Sequence, residues 1–126
     1  STLEVTVPYS EKFNRTEHHY SNLGWGMSLL ALINLMNLKG YDFIGTNNAK
    51  CNAFFVEKSM TNLLNIDLPD TTKLNDFTNI KINEGLDINK NLAFYDNKQK
   101  IEVMKDIKVI DLKSDINKII KLSDLI

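Results

Sequence analysis

The pattern of hydrophobic and polar positions is clearest between Ser28 and Lys58, where it predicts a helix followed by two strands. Apolar residues recur at helical spacing from Ser28 to Lys39 and form one broad face. Ser28 or Ser21 is the predicted N-cap, and Gly40 follows where a left-handed C-terminal cap is expected. Because few polar residues interrupt the face, we expect the helix to be largely buried. The apolar positions are Leu29, Leu32, Ile33, Leu35, Met36 and Leu38, with Asn34, Asn37 and Lys39 outside the face.

Two short runs rich in aromatic and β-branched residues follow, Tyr41–Thr46 and Ala53–Lys58. The residues between them, Asn47–Asn52, favour a turn, so the two runs predict an antiparallel hairpin. The second run contains Ala-Phe-Phe-Val, which is apolar on both faces and predicts an inner strand covered on two sides. A helix that leads into such a pair is typical of a layered α/β sheet.

The N-terminal segment Ser1–Tyr9 alternates in polarity, which predicts a half-buried strand that ends at Pro8. Residues 10–26 are polar and contain two glycines, so they predict a long loop.

The pattern is weaker from Ser59 to Lys81 and then predicts a series of short elements. We expect all of residues 1–126 to form a single domain, with a sheet edge over 1–60 and an α+β extension over 61–126. The later elements are a strand at Ile80–Ile82 ended by Glu84-Gly85, a short element at Leu92–Tyr95 with a turn at Asp96-Asn97, a segment of helical spacing at Lys98–Ile107, a strand at Lys108–Leu112 and an amphipathic helix at Ser114–Ile126.

Composition and charge exclude several classes of function. The net charge is -1 and Arg15 is the only arginine, which disfavours nucleic-acid binding. No run approaches the roughly 18 apolar residues of a membrane span. A single cysteine, Cys51, cannot form an internal disulfide, so we expect a reducing, cytoplasmic setting. The sequence begins at Ser1 without methionine, so we expect either a processed start or a piece of a longer protein.

Four blocks in the first half of the chain carry a resemblance to a known family. In order, the blocks resemble the C-terminal half of a bacterial family of class I S-adenosylmethionine-dependent methyltransferase-like proteins. The resemblance implies that the helix and hairpin are the C-terminal edge of a Rossmann-like sheet. The blocks are Val7-Pro8-Tyr9, residues 26–32, Lys39–Asn47 and Asn52–Val56.

The cofactor motif of that family is missing from this sequence. Such enzymes bind the cofactor at a glycine-rich loop that follows the first strand. Gly24-Trp25-Gly26 does not follow a strand, lacks the third glycine and lies in the wrong half of the implied fold. We therefore expect no cofactor in this chain, with S-adenosylmethionine binding and enzymatic activity only if an upstream part exists.

Individual residues offer little chemistry. His18 and His19 are adjacent, so on a regular element they point apart and do not chelate one ion; a solvated loop is the alternative to a pH-dependent or metal role. Cys51 could be a nucleophile, but neither a capped helix start nor a histidine flanks it, so we expect a structural or incidental thiol. Asp42, at a strand start, is expected to be a surface residue rather than a catalytic acid.

Four residues are the candidates for a substrate pocket: Trp25, Ser28, Asn47 and Asn52. The Trp25 indole either walls a pocket above the helix start or anchors the loop to the core. Asn47 and Asn52 either contact a substrate or serve the turn.

Two functions remain as hypotheses. The first is the C-terminal region of a methyltransferase-like protein, inactive on its own. The alternative is a stand-alone α+β protein-interaction module without catalytic activity. Under the first hypothesis exposed strand edges predict a homodimer formed by edge pairing or swapping. Under the alternative we expect a well-folded monomer with a closed core and a partner-binding face.

Overall fold

Helices and short antiparallel strands make up the structure, a computed structural model that describes residues 3–126. The chain divides into two compact units. The first unit contains Ser28–Asn79 together with Leu3, and the second contains Glu4–Met27 and Ile80–Ile126.

The first unit begins with the predicted helix, which the structure confirms as α2 (Leu29–Leu38). Ser28 is its N-cap, and Gly40 follows its end with φ +88°, a left-handed conformation that favours glycine. Its elements in chain order are α2 (Leu29–Leu38), β2 (Tyr41–Thr46), β3 (Ala53–Glu57), α3 (Lys58–Leu64), a 3₁₀ turn (Thr71–Lys73) and α4 (Asn75–Thr78).

The predicted hairpin is also confirmed, because β2 and β3 pair antiparallel. Phe43 lies opposite Phe55, and a bulge follows before Gly45 lies opposite Phe54. The prediction that β3 is covered on both sides is wrong, since Phe54 is 50% exposed. The physical reason is that only these two strands form the sheet, so the helix and its neighbours pack on one face alone.

An aromatic cluster holds the first unit together. Phe43 is buried with Ile33 and Leu74, and its ring meets that of Phe77 edge-on at 5.3 Å and that of Phe55 at 5.6 Å. Leu74 and Phe77 come from the segment in which the sequence pattern was weak. Tertiary packing against Phe43 therefore places that segment.

The second unit contains a three-stranded sheet, in the order β1 (Val5–Thr6), β6 (Lys108–Asp111) and β7 (Lys118–Lys121), and a two-stranded sheet of β4 (Asn83–Leu86) and β5 (Leu92–Tyr95). Ile107, Val109 and Leu122 are its buried apolar residues. Its elements are β1 (Val5–Thr6), α1 (Arg15–His18), β4 (Asn83–Leu86), β5 (Leu92–Tyr95), α5 (Asn97–Met104), β6 (Lys108–Asp111), β7 (Lys118–Lys121) and a 3₁₀ turn (Leu122–Leu125).

Most predictions for this unit hold in outline. The N-terminal strand is present at Val5–Thr6, with Ser1 and Thr2 outside the described residues. The element at Leu92–Tyr95 is a strand, and the segment of helical spacing forms α5. The predicted turn at Asp96-Asn97 instead starts that helix, because Asp96 and Gln99 form a capping box. The predicted loop at 10–26 includes the one-turn helix α1.

The predicted C-terminal helix over Ser114–Ile126 is wrong. The segment contains β7, which pairs with β6 so that Ile119 lies opposite Ile110 and Ile120 opposite Val109. These cross-strand pairs between β-branched residues favour a strand. The isoleucine spacing in this short segment fits a helix and a strand alike, and pairing with β6 decides between them.

The predicted strand at Ile80–Ile82 is wrong as well, because β4 begins at Asn83 and includes Glu84 and Gly85. A Cβ atom at Gly85 would lie 2.6 Å from the Ser21 carbonyl oxygen. The glycine therefore permits a close backbone approach within the strand rather than ending it.

The fold is of the mixed α and β class, and every strand pair among residues 3–126 is antiparallel. A single domain divided near residue 60 stays a prediction. The two units are bounded elsewhere along the chain, at residues 28 and 79.

Removing the Phe43 ring tests the core of the first unit. We expect Phe43→Ala to lower the free energy of unfolding by about 3 kcal/mol, because a buried aromatic contact is replaced by a cavity. Urea-induced unfolding followed by circular dichroism measures the change. Leu63→Ala is the matched control, since Leu63 is 74% exposed, and equal effects of the two substitutions would contradict this core.

Candidate functional site

Three of the four predicted pocket residues have local structural roles in the first unit. Ser28 Oγ accepts the N–H of Ala31 (3.3 Å) as the cap of α2. Asn47 Oδ1 accepts the N–H groups of Cys51 and Asn52, both at 3.1 Å. The Asn47 N–H in turn donates to the Asn52 carbonyl (3.1 Å). These contacts stabilise the helix start and the hairpin turn, the role that was the alternative to substrate contact.

Trp25, the fourth candidate, lies in the second unit and is 54% exposed. The Arg15 guanidinium lies 5.1 Å from its ring centroid in a cation–π contact. Arg15 Nε also donates to Asn22 Oδ1 (2.8 Å). The indole thus lies at the surface and packs against the side chain of Arg15, the only arginine. A shared substrate pocket of these four residues stays a prediction.

A groove of about 240 Å³ lies in the first unit, at the end of α2 and the start of β2. Its polar lining includes Asn34, Asn37 and Asp42, and Lys58 Nζ donates to Asn37 Oδ1. The volume is below the 300–1,000 Å³ typical of small-molecule sites. The groove offers amide, hydroxyl and carboxylate groups for hydrogen bonding, the hydroxyls from Tyr41 and Thr71 and the carboxylate from Asp42.

Sequence reasoning missed this groove because it treated Asn34, Asn37 and Asp42 as surface residues one by one. The sequence feature that indicated the groove was the spacing of these three residues. Asn34 and Asn37 lie three positions apart on one helix face, and Asp42 lies two positions after Gly40, which ends the turn that follows that helix.

His19 and Ser21 form a close polar pair in the second unit, with Nδ1 and Oγ 2.7 Å apart. Such a pair has the chemistry of a base and a nucleophile, but Ser21 is completely buried. Its Oγ also accepts the Leu23 N–H (3.3 Å), and its own N–H donates to His19 Nδ1 (3.3 Å). The pair therefore orders the loop backbone and presents no hydroxyl to a substrate.

Burial lowers the pKa of His19, the neighbouring His18 lowers it further, and the carboxylate of Asp106 opposes both. His18 Nε2 is itself buried and has no hydrogen-bond partner among residues 3–126. The lowered pKa favours a neutral His19 imidazole in the folded loop.

A second buried polar cluster connects α5 to the β4–β5 hairpin. Lys100 Nζ donates to Asn83 Oδ1 (3.1 Å), and Asn83 Nδ2 lies 3.3 Å from both the Tyr95 carbonyl and Asn97 Oδ1. Burial lowers the pKa of Lys100. Because Asn83 is only 6% exposed, the cluster satisfies buried groups of the hairpin and stabilises the docking of α5.

The most prominent surface feature is apolar. Each two-stranded sheet packs one face and leaves the other, its outer face, uncovered. On the β4–β5 outer face Leu86 lies opposite Leu92 and Glu84 opposite Phe94, while Asn83 and Gly85 face inward and are buried. Leu92 and Phe94 are 61% and 59% exposed. On the β2–β3 outer face, alternation places Ile44 and Phe54, both exposed, opposite to the packed Phe43 and Phe55.

Neither metal nor membrane chemistry is indicated in the part of the chain that the structure describes. Within residues 3–126, no group of three or more histidine, cysteine, aspartate or glutamate side chains could hold a metal ion. No helix among these residues is long and apolar enough to cross a bilayer.

Comparisons with protein families, with curated proteins and with solved structures find no match to this chain.

The His19 environment predicts a pH dependence of stability. The folded-state pKa of His19 lies below the unfolded value of 6.5, so the unfolded chain binds the proton more tightly. The stabilisation is therefore fully present above about pH 6.5 and is lost as the pH falls through the folded pKa. Urea unfolding between about pH 7.5 and 5 measures the loss.

His19→Asn is the control for this prediction, because the amide oxygen can still accept the Ser21 N–H but does not titrate. We expect a shallower pH dependence in the variant over this range. Asp70 and Asp87, whose pKa values are lowered by hydrogen bonds, titrate below 3.8 and do not contribute there. An unchanged slope in His19→Asn would contradict the role of His19.

Proposed function

We propose that this chain is a non-catalytic protein-interaction region of the α+β class, which binds through the outer faces of its hairpins. The single observation that supports this proposal is the uncovered apolar surface. Leu92 and Phe94 are each more than half exposed on one outer face, and Phe54 is half exposed on the other.

Exposed large apolar side chains outnumber the fully buried apolar ones among the described residues. The described residues contain seven buried apolar side chains, whereas twenty-two large apolar side chains are exposed. Single exposed apolar residues are ordinary, but adjacent ones on a sheet face mark an interaction site. Aromatic and aliphatic side chains with few charges are also the composition of interface centres.

The polar chemistry of the chain supports a binding role over catalysis. The His19–Ser21 pair and the Lys100–Asn83 cluster each serve the backbone or a hairpin. A net charge of -1 and one arginine favour a protein partner over nucleic acid. The exposed free thiol of Cys51 suits a reducing compartment, and we place the protein in the cytoplasm.

Photo-crosslinking at the outer faces tests the proposal. A photoreactive residue at Phe54 or Phe94 should give a discrete protein adduct in cells, because these side chains would lie at the centre of an interface. The adduct is measured by gel shift and mass spectrometry. The same residue at Lys113, which belongs to neither hairpin, is the control. Equal labelling at all three positions would contradict a specific surface.

A second candidate function is the C-terminal region of a methyltransferase-like protein. The observation that favours it is the order of α2, β2 and β3, a helix that leads directly into an antiparallel pair. In this proposal an upstream part of a longer protein covers the exposed hairpin face and carries the cofactor. An upstream reading frame with a glycine-rich motif after its first strand would favour this candidate.

A measurement of S-adenosylmethionine binding tests the second candidate. We expect no heat from S-adenosylmethionine in calorimetry with this chain, since its glycine pair Gly24 and Gly26 lacks the sequence context of a cofactor loop. Micromolar binding would contradict both proposals. A non-catalytic interaction region has no use for the cofactor, and the methyltransferase-like candidate places the cofactor site in an upstream part.

A further inference from the structure

The strand β3 presents an open edge. β2 pairs with one side of β3, and the other side pairs with no strand among the described residues. The strand Ala53–Glu57 contains no lysine and no proline, the residues that commonly protect such edges. By contrast β7, which is also an edge strand, begins with Lys118 and ends with Lys121.

The hydrogen bonds at both ends of the hairpin show which backbone groups face outward. Lys58 N–H donates to the Gly40 carbonyl (3.0 Å), and Asn47 N–H donates to the Asn52 carbonyl (3.1 Å). Hydrogen-bonded pairs alternate along an antiparallel ladder, so Phe54 and Val56 also direct their backbone groups to β2. The N–H and C=O groups of Ala53 and Phe55 and the Glu57 N–H therefore face away from β2. The Glu57 carbonyl is also the N-cap carbonyl of α3, so one of its two lone pairs serves the first turn of that helix.

These outward groups are spaced symmetrically about Phe55, with Ala53 and Glu57 two positions to either side. A strand with this spacing is complementary to an antiparallel copy of itself. With Phe55 opposite Phe55 of a second molecule, Ala53 lies opposite Glu57, and each outward N–H meets an outward carbonyl. No like charges lie opposite each other in this register.

We propose that two copies of this chain pair antiparallel through β3, about a two-fold axis at Phe55. The proposal rests on the protein-interaction function above and names its partner as a second molecule of the same chain. Pairing joins two two-stranded sheets into one four-stranded sheet, and sheets of three or more strands are markedly more stable than a lone hairpin. It also places Phe54 beside Val56 of the partner strand on the outer face.

Other edges of the chain suit this pairing less well. β1 has two residues, and lysines flank β7. The free edge of β5 is shorter, because Asp87 N–H donates to the Asn91 carbonyl (2.9 Å) and the alternation leaves only Leu92 and Phe94 facing outward. Charge also favours β3. Antiparallel pairing brings the Glu57 end of each strand towards the partner's turn, which contains Lys50.

The test is the mass of the full chain in solution. Sedimentation velocity from about 1 to about 100 µM covers a micromolar Kd and should show a shift from 14.4 kDa towards twice that mass. A monomer across the whole range would overturn the proposal. If the photo-crosslinks then identified a different protein, the interaction function would stand and only the dimer would fail.

Glu57→Pro is the variant that separates this edge from any other interface. Glu57 has φ -60° and an outward N–H, so proline fits its backbone and removes no bond to β2. Val56, the preceding residue, is extended, as proline requires. We expect Glu57→Pro to be monomeric and Glu57→Gln, which loses the same charge but keeps the N–H, to dimerise. A dimer of Glu57→Pro would overturn the pairing.

Amide hydrogen exchange keeps the proposal testable if the proline variant does not fold. In the unmodified chain, the N–H groups of Ala53, Phe55 and Glu57 should exchange at least tenfold more slowly at high than at low concentration. The N–H groups of Phe54 and Val56, bonded to β2, are internal controls whose protection should change much less. Equal exchange of the outward groups at both concentrations would overturn the proposal.

Discussion

A two-stranded sheet has two faces, and in this chain each hairpin packs only one of them. In the first unit α2 and the residues around Leu74 cover the Phe43 side of the hairpin. In the second unit Asn83 and Gly85 face inward, while Leu92 and Phe94 on the other face stay exposed. A hairpin in water is marginal without further strands or a covering layer. Most surface properties of the protein follow from this constraint.

Buried, hydrogen-bonded polar groups supply part of the stability that the small apolar cores cannot provide. Ser21, Asn83 and the Lys100 amine lie where a larger domain would place aliphatic side chains, and each is hydrogen-bonded. Such groups stabilise only when they are satisfied, so they demand a defined geometry. They are the residues that a search for catalysis would notice first. Their partners show that they hold loops and hairpins instead.

The uncovered faces and the open edges both support binding to a partner, through different chemical groups. Outer faces offer apolar side chains to a partner, and edges offer backbone donors and acceptors. The β3 strand offers both, with Phe54 on the face and the N–H groups of Ala53, Phe55 and Glu57 at the edge. Both features support the proposal that the chain acts by association.

Local sequence determined the elements whose signals are strong and self-contained. The α2 helix, with its Ser28 cap and Gly40 stop, and the β2–β3 hairpin with its asparagine turn follow from residues within a few positions of one another. The roles of Ser28 and Asn47 as cap and turn residues were foreseeable for the same reason. Only the tertiary structure decided that Ser114–Ile126 contains a strand, that Gly85 lies inside a strand, and that the outer face of β3 is uncovered. Each of these depends on a distant partner, β6, the Ser21 carbonyl or a covering layer, and short-range patterns carry no information about such partners.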